Sequence, residues 1–375
     1  MSVSDLPPRD PLSRGLSLYL EALRIGAALA VFLTHLSDSR LTGGRWEWFL
    51  RLELGRDAVV VFFVLSGLIV ARAAGRSGVT GRGFVFDRLT RLWSVALPAL
   101  VLGWLLDRWG VAAAPWHYAE IAYQEIGLAR ALLLGATFSS EWLPFGELMG
   151  SNLPYWSLSY EAAYYALFAC AVFLEGRVRI VALAIGLVAM GPGALALLPA
   201  WALGVWVWSR LEAGDLPKGV RAWAMALGPV LLIAPSLWLG LGPRMAERAF
   251  HLLGPEGMRV IRFGFIAPWA LILAGLTALH LLGVAALLRD RAVRDRPWLR
   301  WAAGGTFSLY VVHQPVLHAL RVRFDGMGET LARDAALALA TLTICLVFAA
   351  LFERTLGTQR RALRALVRRS ATQGA

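Results

Sequence analysis

Residues 16–36 read LSLYLEALRIGAALAVFLTHL. The run is long enough to cross a bilayer as a helix, yet it contains Glu21, Arg24 and His35. Hydrocarbon penalises ionisable groups, so their presence calls for a partner or a task. Arg24 and His35 are eleven residues apart, almost three whole helical turns. Both therefore face the same way, separated along the axis by about 16 Å. Glu21, three residues before Arg24, lies close enough on that face to offset part of its charge. This polar stripe is suited to other helices or a ligand, not to lipid.

Outward from this run the chain stays apolar. Its 375 residues are 58% hydrophobic and only 17% charged, with a mean hydropathy of +0.60, which excludes an ordinary soluble domain and indicates an all-α, multi-span membrane protein. The net charge of +12 does not argue for nucleic acid, because the arginines cluster in short segments between apolar runs, as cytoplasmic loops do. Cys170 and Cys345 both fall in apolar runs and read as buried small hydrophobes, without disulfide or metal-ligand spacing. Spans are expected over residues 16–36, 57–73, 92–106, 154–174, 180–190, 194–208, 222–241, 263–288, 301–320 and 331–352. These ten put both termini in the cytoplasm, with basic loops inside at Arg72 to Arg91, Arg289 to Arg300 and beyond Arg354. Residues 129–138 are apolar but too short to cross, and read as re-entrant or packed on the outer face. The expected domains are a cytoplasmic tail over 1–15, a transmembrane domain over 16–353, and a basic tail over 354–375 lying on the anionic leaflet. The first span reads as retained and not as a signal peptide.

Five stretches in order carry a family resemblance: LYLEALRIGAALAVFLTHL, GRDAVVVFFVLSGLIV, FDRLTRLWSVALPAL, NLPYWSLSYEAAYYALF and FSLYVVHQPVL. Together they resemble the bacterial acyltransferase family three of integral-membrane O-acyltransferases, over residues 18–174 and 306–318. Glu21 stands where Asp is commoner in that family, and Arg56 where His is frequent. The resemblance implies transfer of an acyl group, acetyl in the first instance, from cytoplasmic acyl-CoA to a hydroxyl. The implied acceptor is a carbohydrate, such as a cell-surface polysaccharide or its lipid-linked precursor, and the implied location is a bacterial inner membrane.

The residues themselves support candidate roles. Acyl transfer to a hydroxyl needs a base near neutrality, and His35 is the natural one, aligned with Arg24. Asp57 either orients or charge-balances His35, or caps its own helix. Arg88 and Arg91, three residues apart on one face, either fork onto acyl-CoA phosphates or anchor the helix at the cytoplasmic surface. Ser66 with Gly67 permits close helix contact or lines an acyl passage. Trp156, Ser157, Ser159 and Glu161 sit in the outer third of their span. There the Glu161 carboxylate needs a partner, Arg24 or the acceptor's hydroxyls. His313 either makes a structural hydrogen bond beside Pro315 or joins the site. His117, His251, His280 and His318 belong to no constellation in the sequence and read as structural. No metal ligand set is visible, and nothing fixes the oligomeric state. The rival readings are a transporter or flippase of a polar substrate, which would need inverted symmetry between the halves, and a noncatalytic scaffold. The scaffold leaves the depth of Arg24, His35 and Glu161 unexplained.

Overall fold

The computed structural model describes residues 11–121, 123–142 and 146–373. Residues 1–10 of the expected N-terminal tail lie outside the described residues. Among the described residues there are helices and no strand, apart from an isolated bridge between Met149 and Asn152. In chain order the helices are α1 (Arg14–Leu36), the short α2 (Ser39–Thr42) and α3 (Glu47–Leu50), α4 (Leu54–Ala74), α5 (Gly81–Ala113), the short α6 (Pro115–Glu120), and α7 (Leu128–Ala136). Then come α8 (Trp156–Phe173), α9 (Gly176–Ala189), α10 (Gly191–Glu212), α11 (Gly219–Trp238), α12 (Leu241–Ile261) and α13 (Ala267–Leu288). The chain closes with α14 (Pro297–Ala303), α15 (Thr306–Arg323), α16 (Leu331–Phe348) and α17 (Leu356–Gln373).

Nine of the ten expected spans fall largely within one helix each, and the other, the ninth in chain order, is divided between α14 and α15. Among the described residues, seven helical stretches are long and apolar enough to cross a membrane: Arg14–Leu36, Glu47–Ala74, Gly81–Ala113, Gly191–Glu212, Gly219–Trp238, Leu241–Leu288 and Leu331–Ala365. The three left out have physical reasons. Helix α9 has only 14 residues, about 21 Å of rise. Helices α8 and α15 carry the polar residues Ser157, Ser159, His313 and His318, all of them buried, and neighbouring helices wrap these positions away from lipid. Helix α9 sits outermost, with no buried residue and with Ile180 and Val188 exposed by 66% and 79%. In a bilayer such side chains face acyl chains.

Three expectations change. The basic segment Arg82 to Arg91 is not a loop, because α5 starts at Gly81, where Thr80 Oγ1 accepts a hydrogen bond from Gly83 N at 3.2 Å and caps the helix. The ninth expected span begins at Trp301, but Gly304 and Gly305 separate α14 from α15. Helix α12 falls in a stretch read as a loop. It is amphipathic, leaves Phe250, Leu252 and Val260 exposed, and is kinked at Gly254, whose φ of 63° suits only glycine. By contrast, the 129–138 segment behaves as its length implies: α7 is nine residues long and packs on α5.

Helices α4 and α10 approach each other closely. A Cβ on Gly67 would lie 2.1 Å from Trp201 O, and one on Gly204 would lie 1.9 Å from Val64 O. The two glycines thus allow backbone-on-backbone contact in both directions, the usual device for tight packing where lipid supplies no hydrophobic drive. Gly204→Leu is expected to cost at least the ~1–3 kcal/mol of overpacking, read as a lowered unfolding midpoint in detergent. Gly26, where a methyl group would meet nothing within 4 Å, tolerates Ala and serves as the control.

Candidate functional site

A cavity of about 110 Å³ opens among α1, α4, α5, α8 and α15. It has room for a handful of waters or the end of a ligand, not for a whole nucleotide. Its charged and polar lining comes from each helix in turn: Arg24 of α1, Ser66 of α4, Arg88 and Arg91 of α5, Ser157, Glu161 and Tyr165 of α8, and Thr306 and Tyr310 of α15. Aromatic and aliphatic side chains, among them Phe62, Phe63 and Phe307, complete the wall. Of the residues expected at the site, Arg24, Ser66, Arg88, Arg91, Ser157 and Glu161 are therefore brought to one space by helices far apart in the sequence.

Within it Glu161 is held firmly. Ser66 Oγ donates to Glu161 Oε1 at 2.7 Å, Tyr165 OH donates to the same oxygen, and Trp201 Nε1 donates to Ser66 Oγ at 3.3 Å. Hydrogen bonds from two hydroxyls to one carboxylate oxygen fix its position across the cavity. Ser66 therefore serves the cavity, while its neighbour Gly67 makes the helix contact. Arg24 Nη2 donates to Thr306 Oγ1 at 3.4 Å. That is the one hydrogen bond of Arg24 among the described residues, and Glu161, Glu353 and Tyr165 lie within electrostatic reach of its guanidinium. Arg24 and Glu21 form no ion pair among the described residues, although the Glu21 carboxylate lies within electrostatic reach of the guanidinium. Arg88 Nε is buried without a hydrogen-bond partner. Across the cavity, Ser157 Oγ lies 2.7 Å from Tyr310 OH.

Beyond Tyr310 the lining gives way to histidines. Three residues further along α15, about 4.5 Å of rise, the ring of His313 lies 5.1 Å from that of His35. Neither imidazole lines the cavity itself. His313 is fully buried, its Nδ1 donates to Leu309 O at 2.8 Å, and its Nε2 has no partner. A neutral imidazole pinned in that way presents a bare lone pair at Nε2. The kink explains the neighbourhood. Pro315 cannot donate to Val311 O four residues back, and Asn152 Nδ2 takes that carbonyl at 2.9 Å. The hydrogen bond that the kink needed is thus made by Asn152, not by His313.

Other expected site residues lie elsewhere. Asp57 accepts from Trp269 Nε1 at 2.9 Å in the first turn of α4; it does not orient His35, and the N-terminal placement favours a carboxylate there. Trp156 stacks on Phe263 at 4.4 Å between ring centres, outside the cavity wall. Ser159, fully buried, is 2.7 Å from Ser140 Oγ and holds the α7–α8 loop. That loop is tied further by Glu141, which accepts from Arg262 Nε at 2.5 Å and from Arg262 Nη2 at 2.9 Å. Burial raises the Glu141 carboxyl above its usual range, and Arg262 pulls it part of the way back.

The reading of His117 and His318 as unrelated is corrected: His117 Nε2 lies 3.1 Å from His318 Nδ1, and both are buried. Burial, with Arg321 and Arg40 nearby, lowers His117 to about 4, so that imidazole is neutral at pH 7. Tyr165 and Tyr310 were not expected at the site. Their spacing was a usable signal, four residues after Glu161 and three before His313, which puts each on the same helix face as its partner.

Comparison with known proteins bears on the chain as a whole. The family model described as "Acyltransferase domain" matches residues 17–350. The chain is also similar to "Acyltransferase MdmB" of Streptomyces mycarofaciens, with 27% identity over 363 residues, covering 88% of this chain and 87% of that protein. No solved structure matches the chain.

Proposed function

This chain belongs to the acyltransferase domain family and is a multi-pass membrane acyltransferase, and from that premise we propose that it moves an acyl group, acetyl in the first instance, from acyl-CoA to a hydroxyl of a carbohydrate. The acceptor would be a cell-surface polysaccharide or its lipid-linked precursor, and the enzyme would sit in a bacterial inner membrane with both termini cytoplasmic. The observation that carries the reading is the convergence of Arg24, Arg88, Arg91 and Glu161 on one cavity that Ser157 and Tyr310 also line, with the His35–His313 pair one helical turn along α15 from Tyr310.

In this mechanism Arg88 and Arg91 hold donor phosphates at the cytoplasmic mouth, since guanidinium forks match phosphate oxygens. The thioester carbonyl lies near Arg24, whose uncommitted donors stabilise the oxyanion as it forms. His35, with His313 beside it, accepts the proton of the acceptor hydroxyl. The hydroxyl oxygen bonds to the acyl carbon, the C–S bond breaks, and the thiolate of coenzyme A regains a proton. Glu161 offsets the guanidinium charge of the cavity.

The donor half is tested by isothermal titration of coenzyme A. Arg88→Ala/Arg91→Ala is expected to weaken binding by about 10- to 100-fold, the value of one or more charge-assisted hydrogen bonds. Unchanged affinity in correctly inserted protein leaves the two as membrane anchors and removes the donor site from this cavity. The orientation is tested by labelling single cysteines, in protein whose Cys170 and Cys345 are replaced by Ser. Ser77→Cys is expected to label from the cytoplasmic side and Glu147→Cys from the other; labelling from one side contradicts the arrangement.

A further inference from the structure

We propose that the C-terminal helix α17 supplies a second phosphate site, Arg360 with Arg364, that binds the ribose 3′-phosphate of coenzyme A and so selects this donor over thioesters lacking that group. The inference rests on the donor reading above and extends it to a helix that the sequence places on the lipid surface.

Helix α17 is docked on α5, not merely laid on a leaflet. Arg360 Nε donates to Thr90 Oγ1 at 2.9 Å, and its Nη2 donates to the backbone carbonyl of Asp87. Arg364 Nη2 donates to Asp87 Oδ1 at 3.2 Å. Asp87 and Arg91 are four residues apart on α5, neighbours on one helix face with about 5–6 Å between Cβ atoms. The α17 pair therefore lies one helical turn outward from Arg91, beside Arg88, whose Nε is buried and unpartnered. Arg360 and Arg364 pair with Asp87 here, and Arg88 and Arg91 lie within electrostatic reach of Arg360, so four guanidinia crowd a mouth whose carboxylates are Asp87 and, deeper, Glu161. So many like charges held together by protein contacts attract an anion.

Two features fit a phosphate monoester there. Arg360 and Arg364 keep 23% and 57% of their side chains exposed, so a ligand can reach them. Nη1 of each makes no hydrogen bond among the described residues. A nucleotide with phosphates on two sides of its ribose could present one to each arginine pair. The 5′-pyrophosphate would face Arg88 and Arg91 at the cavity, and the 3′-phosphate would face α17. Anionic lipid headgroups share this phosphate chemistry, so the experiment has to separate the two sources.

The test compares coenzyme A with 3′-dephospho-coenzyme A by isothermal titration of the whole protein in detergent. Wild-type protein is expected to bind coenzyme A about 10- to 100-fold tighter than the dephospho form. In Arg360→Ala/Arg364→Ala that preference should vanish while affinity for 3′-dephospho-coenzyme A stays within about two-fold, which also certifies the fold. Arg360→Lys/Arg364→Lys, which keeps the charge without the fork, should retain part of the preference. Equal wild-type affinities, or a preference that survives in the double Ala variant, would overturn the proposal. If the preference survives but activity in nanodiscs loses its dependence on anionic lipid, the pair serves headgroups and the proposal is likewise wrong. Failure of coenzyme A to bind wild-type protein at all strikes instead at the donor reading. Weakening of both nucleotides by Arg88→Ala/Arg91→Ala upholds that reading whatever α17 does.

Discussion

His35→Gln is expected to lower single-turnover acyl transfer by about 10²- to 10⁴-fold, the usual contribution of a positioned general base, while the protein still inserts and still binds the donor. Glutamine keeps a polar side chain of similar reach but accepts no proton near pH 7. His313→Gln is expected to cause a loss of similar size, because the two rings lie 5.1 Å apart and only His313 has its tautomer fixed, by Leu309 O. Groups that act as one unit are not additive. The double variant should therefore be no worse than the more damaging single one. Independent losses that multiply would separate the rings into different roles, and near-normal transfer by His35→Gln would move the base to Glu161 or His313.

Arg24→Ala should damage both binding and chemistry. The guanidinium has five donors, and its one hydrogen bond among the described residues is the 3.4 Å contact to Thr306. A cation in mid-span held by one long hydrogen bond is costly unless a ligand uses it. Loss of one charged hydrogen bond weakens donor affinity by about 10- to 100-fold. Removal of an oxyanion donor takes roughly a further 10²- to 10³-fold from the single-turnover rate. Arg24→Lys, which keeps the charge as a point and not a fork, should recover binding better than rate. The comparison is donor titration beside single-turnover kinetics in nanodiscs, normalised to folded protein. A variant that binds donor normally and turns over normally would make Arg24 a packing residue.

Much of this architecture can be read from the chain because apolar runs of the right length have few alternatives. Helix α12 escaped because its apolar residues stripe one side only and Gly254–Pro255 interrupts the period. The first three turns of α5 escaped because the apolar window opens only at Leu92, although Thr80 is a readable cap. For the site, ionisable residues inside apolar runs were the informative signal, and Arg24, Arg88, Arg91 and Glu161 do share a cavity. The failures are tertiary. Trp269, which claims Asp57, is 212 residues away from it, and His117 and His318 are 201 apart. No local pattern records such pairings. Ser159 and Trp156 share the helix of Glu161 but point to other neighbours, since a helix has more faces than a cavity has walls.

The glycine crossing at Gly67 and Gly204 bears on how the enzyme can move. With each backbone resting on the other, α4 and α10 cannot slide past one another by a fraction of a turn without collision, and they behave mechanically as a single stiff beam. Ser66, one residue from the contact, fixes Glu161 to that beam. Helix α1 is tied to the same unit, since Gly55 N donates to Thr34 Oγ1 at 2.9 Å, so breathing that admits an acceptor or releases product falls to α5 and α15, moving against a carboxylate that stays still.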